Sequence, residues 1–311
     1  MQVLARALER LAQGAEVALV TVVGTSGSTP RHPGAKMIVD AHGRAEGTIG
    51  GGRVELEVSR EAAAVAASGA PRLVTHHLVR DLAMCCGGSM ELYIEPASRC
   101  REAVAEAVEL TKARGRGVLV TDLESGEKRV RGLAPPAAPR REGAAFVEPI
   151  VPAERLVLLG CGHVGRAIGA AAAAVEFEIL ACDDGEGGAL SEPLPWAAAT
   201  VASLELADVE RAAGDLGAGD YVVIATRDHA IDQRLLERLL PAEGLSYLGV
   251  IGSRGKLERF RRRLEAKGIA TPERWARVRG PIGLAIGAET PAEIAVSVVA
   301  ELVAVRRRGP G

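Results

Sequence analysis

Short apolar runs alternate with amphipathic segments along the second half of the chain. Continuous apolar runs are typical of strands that are buried on both faces, whereas the segments between them repeat with helical spacing. The predicted strands cover residues 155–159, 178–182, 221–225 and 247–251, and the predicted helices begin at Val164, Asp232, Lys256 and Pro291. This alternation predicts a parallel sheet with helices on both faces.

The first half of the chain has a less regular order of apolar segments. Its predicted helices cover residues 1–13, 53–67 and 99–114, and its predicted strands cover residues 16–23, 37–39, 45–49, 74–78, 90–94 and 146–150. Residues 133–141 hold three prolines and two arginines, which predicts an exposed loop. We therefore expect a smaller N-terminal α/β domain with a mixed sheet, and we place its boundary near Pro152. The expected domains are residues 1–152 and 153–311.

Composition narrows the functional classes. A chain of 311 residues is about twice the usual domain length of roughly 150 residues, which favours two domains. A net charge of -2 offers no basic surface for nucleic acid, and no apolar run is long enough for a membrane span or a signal peptide. The five cysteines show no C-x-x-C spacing, which argues against a disulfide framework or a structural zinc site. A reducing cytoplasm is the expected setting.

A glycine-rich turn follows the first predicted strand of the second half. Gly160, Gly162 and Gly165 lie between that strand and a helix, and Asp183 closes the next strand at nearly the spacing of a ribose-binding acid. The arrangement predicts a Rossmann-like domain that binds a phosphate or nucleotide. A purely structural turn, with Asp183 capping its own backbone, is the alternative.

Two further candidates follow later strands of the same predicted sheet. His229 lies just past the third strand, where ligands of open α/β sheets bind, although a helix cap is an equally good interpretation. Ser253, Arg254 and Lys256 follow the fourth strand and suit a second phosphate clamp. A solvated basic loop is the alternative there.

The first half contains an anion-site candidate and an unusual pair of thiols. Gly50, Gly51 and Gly52 directly precede a predicted helix that begins at Arg53, which would place bare backbone amides at a positive dipole end. Cys85 and Cys86 are adjacent in a glycine-containing turn. We expect one thiol to be buried and the other to face a site, where a nearby helix start or cation could hold it as a thiolate. Simple packing is the alternative.

Spacing alone reveals no catalytic residues and no metal cluster, so the residues indicate a two-domain binder of a phosphate-bearing ligand. Several co-linear motifs, however, resemble xanthine dehydrogenase accessory factors of the XdhC/CoxI type. They are residues 20–37, residues 47–55, the turn at residues 85–88, the Gly160 turn, and residues 221–232, 249–254 and 281–295. The resemblance spans nearly the whole chain.

The resemblance implies a cytoplasmic carrier rather than an enzyme. Such a protein binds molybdenum cofactor (molybdopterin), keeps it while a cysteine desulfurase supports installation of the terminal sulfur, and delivers it to an apo-molybdenum hydroxylase such as xanthine dehydrogenase. Under this interpretation, either glycine-rich helix start holds the pterin phosphate and Cys85 or Cys86 contacts the metal end. Arg53 stands where some relatives carry cysteine, so we expect it to add charge for a phosphate.

Two other functions remain open from the sequence. The Gly160 turn also suits an NAD(P)-dependent oxidoreductase, because one fold serves many activities. A nucleotide-responsive interaction module without pterin is a third interpretation. A homodimer is the default expectation for the oligomeric state.

Overall fold

The chain forms two structural units, Met1–Pro152 and Ala153–Gly311. The computed structural model describes residues 1–186, 189–217 and 219–308. Within these ranges, no helix combines the length and the apolar character that crossing a membrane requires.

The first unit contains two antiparallel sheets. One has the strands β1 (Val17–Ser26), β2 (Lys36–Asp40), β3 (Ala45–Gly47), β4 (Arg72–His77) and β5 (Ser89–Pro96), in the order β3-β2-β1-β5-β4. The other has the strands β6 (Gly117–Asp122), β7 (Lys128–Arg131), β8 (Arg140–Glu142) and β9 (Ala145–Ile150), in the order β7-β6-β9-β8. The helices of the unit are α1 (Gln2–Ala12), α2 (Gly52–Ser68) and α3 (Arg101–Lys112), and a short 3-10 turn, Ala97–Cys100, precedes α3.

Strand β1 separates two hydrophobic cores because its side chains alternate between the two faces of the sheet. Val20 and Val22 pack with the buried face of α2, which includes Val58. Leu19 instead packs with α1 and α3. The continuous apolar run of β1 is thus explained by burial on both faces rather than by parallel pairing.

The α/β class expected for the first unit is confirmed, but its sheets are antiparallel rather than mixed, because every strand pair in them is antiparallel. Short connections such as the turn between β2 and β3 favour antiparallel pairing. The predicted loop at residues 133–141 was also too long, since Arg140 and Arg141 pair with β9. Strand β8 is exposed and polar, so it lacks the apolar alternation by which strands are recognised.

The second unit confirms the predicted Rossmann-like parallel sheet. Its strands are β10 (Arg155–Leu159), β11 (Glu178–Cys182), β12 (Ala199–Val201), β13 (Asp220–Ile224), β14 (Tyr247–Val250) and β15 (Val278–Arg279). Their order, β12-β11-β10-β13-β14-β15, is the doubly wound order of dinucleotide-binding folds. All of the neighbouring strands pair in parallel.

Helices cover both faces of this sheet. They are α4 (His163–Ala174), α5 (Leu206–Ala213), α6 (His229–Leu239), α7 (Arg254–Ala266), α8 (Pro272–Ala276) and α9 (Pro291–Arg308). One core contains Val209 of α5, Leu236 of α6 and Phe260 of α7. The opposite core contains Ile168 of α4 and Val298 of α9.

Candidate functional site

A cleft of about 580 Å³ opens at the carboxyl edge of the parallel sheet. The chain leaves β10 and β13 toward opposite sides of the sheet, and ligands of doubly wound folds bind where the strand order reverses in this way. The lining residues are Cys161, Gly162, His163, Val164, Arg166, Asp183, Glu186, Ala189, Ser191, Glu192, Ala225, Thr226, Arg227 and Ile251. The cleft therefore joins the ends of β10, β11, β13 and β14.

Each of the three glycines of the Gly160 turn lies in a different local environment. Gly160 has φ +110°, and a Cβ there would collide with the carbonyl of Ala225. A Cβ on Gly165 would collide with the carbonyl of Gly160, so this glycine permits α4 to pack against its strand. Gly162, by contrast, is the N-cap of α4, and no atom of the described residues lies within 4 Å of a Cβ added there. The open space at Gly162 is where a ligand can approach the backbone.

Asp183 fastens this turn to the next strand. Its Oδ2 accepts a hydrogen bond from the amide of Cys161 at 2.7 Å, and its Oδ1 accepts one from the amide of Gly185 at 2.9 Å. The side chain is buried but borders the cleft. The structure thus shows a backbone-capping role for Asp183, while contact with a ribose stays a prediction.

The side chain of Arg227 reaches from the end of β13 to the loop that follows β11. It follows β13, yet its guanidinium donates to both carboxylate oxygens of Asp184, at 2.6 and 2.9 Å, and to Glu186 at 2.5 Å. Both acids follow β11, and β10 lies between these two strands. The guanidinium of Arg227 holds the pKa of Asp184 below its ordinary value. This ion pair therefore spans the carboxyl end of β10, close to the Gly160 turn.

Lys256, one of the residues expected to form a second phosphate clamp, is paired inside the second unit. Lys256 is buried, and its Nζ donates to Oδ2 of Asp232 and to the carbonyl of Ile251, at 2.5 and 2.8 Å. Oδ1 of Asp232 accepts from the hydroxyl of Thr226 at 2.6 Å. The ammonium group is thus neutralised inside the unit, where it ties α7 to α6 and to the loop after β14.

The other predicted residues of the second unit lie outside the described lining of the cleft. Ser253 is the N-cap of α7, and its hydroxyl accepts from the amide of Lys256. Arg254 lines a separate cavity of about 170 Å³ that also contains Trp275. His229 is exposed as the first residue of α6, where Asp228 is the N-cap.

The thiols of the second unit do not supply reactive groups to the cleft. Cys161 and Cys182 are fully buried. The pKa of each thiol is raised to about 12, mainly by burial, with a further contribution from Asp183 for Cys161 and from Cys161 for Cys182. A group with such a pKa is almost entirely protonated at neutral pH.

Three separate motifs of the first unit meet in space. The amide of Gly88 donates to the carbonyl of Ser28 at 3.0 Å, which joins the thiol turn to the loop after β1. A Cβ on Gly50 would collide with the ring of Pro30, and one on Gly52 would lie 3.6 Å from the methyl of Met84. The glycine-rich start of α2 therefore lies beside both of the other segments.

Two of the three bare amides expected at the start of α2 are already occupied, since the amide of Gly50 donates to the hydroxyl of Thr48 and that of Gly51 donates to Glu55. Oε2 of Glu55 accepts from the amide of Gly51 at 2.8 Å, from the amide of Ile49 at 3.2 Å and from the hydroxyl of Thr48 at 2.8 Å. Burial acts to raise the pKa of Glu55, but these hydrogen bonds outweigh it, so the pKa is lowered overall. The helix start thus holds an internal carboxylate where an external anion was predicted.

The vicinal thiols occupy different environments. Cys85 is exposed, whereas Cys86 is half-buried against the core beside Leu82 and Met84. Burial and the neighbouring Cys85 raise the pKa of Cys86, so Cys86 is the less reactive of the two thiols. Arg53 is exposed, and its guanidinium contacts the carbonyl of Leu82 at 3.4 Å.

Sequence reasoning missed the Arg227–Asp184–Glu186 group and the charged lining residues Arg166 and Glu192. Arg166 donates to the carbonyl of Ala189 at 2.8 Å and pairs with Glu192 at 3.4 Å. One signal was present, because residues that directly follow parallel strands meet at the same sheet edge. Asp184 and Arg227 both have such positions.

Comparisons with known proteins identify relatives for both units. Residues 156–302 match the model of the XdhC Rossmann domain, and residues 10–77 match the model of the XdhC and CoxI family. The whole chain is 32% identical to the uncharacterized protein YqeB of Escherichia coli but spans only 47% of its length. It is 26% identical to a Bacillus subtilis protein described as a probable xanthine dehydrogenase subunit, and the match covers 94% of both chains.

A solved structure shows the same fold. The crystal structure described as a xanthine dehydrogenase from Bacillus halodurans matches with a TM-score of 0.83 at 23% identity. The match covers 98% of this chain and 96% of the other.

Proposed function

Because the chain belongs to the XdhC and CoxI family, we propose that it is a cytoplasmic accessory protein of xanthine dehydrogenase maturation that binds molybdenum cofactor. The family relationship supports the accessory role. Binding and delivery of the cofactor are the parts that the proposal adds.

The open start of α4 is the observation that carries this proposal. Molybdopterin ends in a phosphate, and the cleft offers the unobstructed backbone at Gly162 together with the positive end of a helix dipole. The first turn of α4 contains no acidic residue to occupy that position. The cleft volume of about 580 Å³ is in the range of small-molecule and cofactor sites.

The first unit contributes an exposed thiol to the proposal. Cys85 is the accessible member of the vicinal pair and is therefore the better candidate of the two thiols for a functional role. In this role the protein protects the cofactor while a cysteine desulfurase provides sulfur, and then delivers it to an apo-molybdenum hydroxylase. The protein thus acts as a carrier.

The test is to purify the full chain from cells that make molybdenum cofactor and to assay released pterin and molybdenum. Gly162→Asp places a carboxylate at the start of α4, where space is open, so the fold should persist and the bound pterin should fall at least about tenfold. Gly132→Asp is the matched control, because Gly132 is exposed in the first unit and also has open space around it. Cys85→Ser tests the thiol separately and should also lower the amount of cofactor that the purified protein carries.

The same purification distinguishes the competing function. A Gly160-type turn also binds nicotinamide dinucleotides, and this geometry favours an NAD(P)-dependent oxidoreductase as the second candidate. Absence of pterin, failure to bind added cofactor and binding of NAD(P) would together reject the accessory role in favour of that enzyme class.

A further inference from the structure

We propose that the corner of the cleft beside β11 binds an unphosphorylated ribose, so that the cleft selects dinucleotide-type ligands without a 2′-phosphate. The inference deepens the proposed function and rests on the cleft being a ligand site. It concerns Asp184, Glu186 and Arg227.

The position of this corner follows from the sheet order. When a pyrophosphate lies at the start of α4, the ribose of a dinucleotide falls toward the loop after the neighbouring strand, which here is β11. Asp183, Asp184 and Glu186 form that loop. In this fold an acid there accepts hydrogen bonds from the ribose hydroxyls, whereas a nearby arginine accommodates a 2′-phosphate.

Arg227 is the cation at this corner, but its charge is already balanced. Two carboxylates bind its guanidinium, one of them through both oxygens. The other arginine of the cleft, Arg166, is engaged with Ala189 and Glu192. Among the described residues at the cleft, the carboxylates of Asp183, Asp184, Glu186 and Glu192 thus outnumber the two arginines.

A 2′-phosphate would carry nearly two negative charges into this acidic corner. It would have to displace both acids from Arg227 before it could bind the guanidinium. A neutral ribose diol instead donates hydrogen bonds to carboxylate oxygens and leaves the ion pair in place. The charge distribution therefore favours the diol over the phosphate.

The experiment uses NAD⁺ and NADP⁺ as probes, because they differ only in the 2′-phosphate, and measures both affinities on the full chain by calorimetry at one ionic strength. NAD⁺ should bind the natural protein at least about tenfold more tightly than NADP⁺. The double variant Asp184→Asn with Glu186→Gln removes both carboxylates that bind Arg227. The ratio of NAD⁺ to NADP⁺ affinity should then fall by about tenfold or reverse. Arg227→Gln should move the ratio the other way, because it leaves the acids uncompensated.

The matched control is Glu258→Gln with Glu265→Gln. It also removes two carboxylates that pair with arginines, but these lie on the exposed surface of α7. Its NAD⁺ to NADP⁺ ratio should stay within about twofold of the natural value, because exposed charges are strongly screened. Unfolding midpoints of every variant verify that the fold is retained.

Three results would overturn the inference: equal or tighter binding of NADP⁺ by the natural protein, a parallel change of both affinities in the Asp184 and Glu186 variant, or no binding of either dinucleotide. None of them decides the accessory role, which the released-pterin assay tests independently.

Discussion

The two glycine-rich helix starts of this protein look alike in sequence and differ in structure. The start of α4 has no acidic residue in its first turn, and Gly162 faces space that is open among the described parts of the chain. The start of α2 is occupied by its own Glu55, which binds the amides of Ile49 and Gly51. At α4 an internal carboxylate also reaches the turn, but Asp183 binds the amide of Cys161, which precedes the N-cap, whereas Glu55 binds the N-cap amide of α2 itself. The comparison shows that glycines before a helix do not by themselves leave its first amides open to an external anion.

Within the Gly160 turn itself, Gly165 and Gly162 differ in the same way, because one is closely packed and the other is open. Gly165 is required by close packing, whereas Gly162 is required only if something must approach the backbone. Substitutions that add the same side chain at both positions can therefore distinguish fold from ligand binding.

The largest expected effect is that of Gly165→Ser. The new side chain would collide with the Gly160 carbonyl, so we expect the free energy of unfolding of the second unit to fall by about 1–3 kcal/mol. Gly162→Ser should change it by no more than about 0.5 kcal/mol, because the position is open and serine is a good N-cap. Urea unfolding followed by tryptophan fluorescence reports on this unit, since Trp196 and Trp275 both belong to it.

Equal losses for the two serine variants would contradict the structural distinction between the glycines. Loss of ligand by Gly162→Ser without loss of stability would instead support the ligand role of that position.

An intermediate effect is expected for Glu55→Gln. The variant keeps the side-chain shape but removes the charge at the start of α2, so this segment should lose about 1 kcal/mol of local stability. Hydrogen exchange at the amides of Ile49 and Gly51 should then accelerate about fivefold. Glu57→Gln on the same helix is the control, because Glu57 pairs only with the exposed Arg60 among the described contacts.

The pH dependence of the same site has a definite sign. The folded protein lowers the pKa of Glu55 from its ordinary value of 4.5, so the carboxylate stabilises the fold above that pH. The contribution is lost as the pH falls through the lowered pKa. Protection of Ile49 and Gly51 that stayed unchanged on acidification from pH 6 to pH 3 would argue against an ionised cap.

Most of the second unit could be predicted from the sequence because its strands are buried on both faces and give unbroken apolar runs, as in β10 and β13. Strands β7 and β8 were missed because their exposed arginines obscure any apolar alternation. Local sequence can reveal only local patterns, and these edge strands depend on pairing with their neighbours.

The candidate site likewise has parts that local sequence reveals and parts that depend on contacts between distant segments. The Gly160 turn is a contiguous motif with a fixed physical purpose at each glycine, and it could be recognised directly. The Asp184–Arg227 pair joins residues 43 positions apart that meet only once the sheet has formed. The occupation of the α2 start by Glu55 required knowledge of side-chain direction, which spacing alone did not provide.

The last prediction perturbs the fold least. It compares the alkylation rates of the thiols in the turn of Cys85 and Cys86 with the rate of the thiol in the Gly160 turn, Cys161. At pH 8 an alkylating reagent should modify the exposed Cys85 first and the half-buried Cys86 more slowly. Cys161 and Cys182, which are buried with a pKa of about 12, should react at least about a hundredfold more slowly than Cys85. Mass spectrometry of peptides sampled over time measures each rate.

Cys85→Ser provides the control for this order, because it should remove the fast phase and leave the protection of Cys161 and Cys182 unchanged. It should also lower the pKa of Cys86 slightly, since Cys85 is one of the groups that raise it. Rapid labelling of Cys161 in the folded protein would mean that the Gly160 turn opens to solvent, and the cleft could then not be treated as a preformed site.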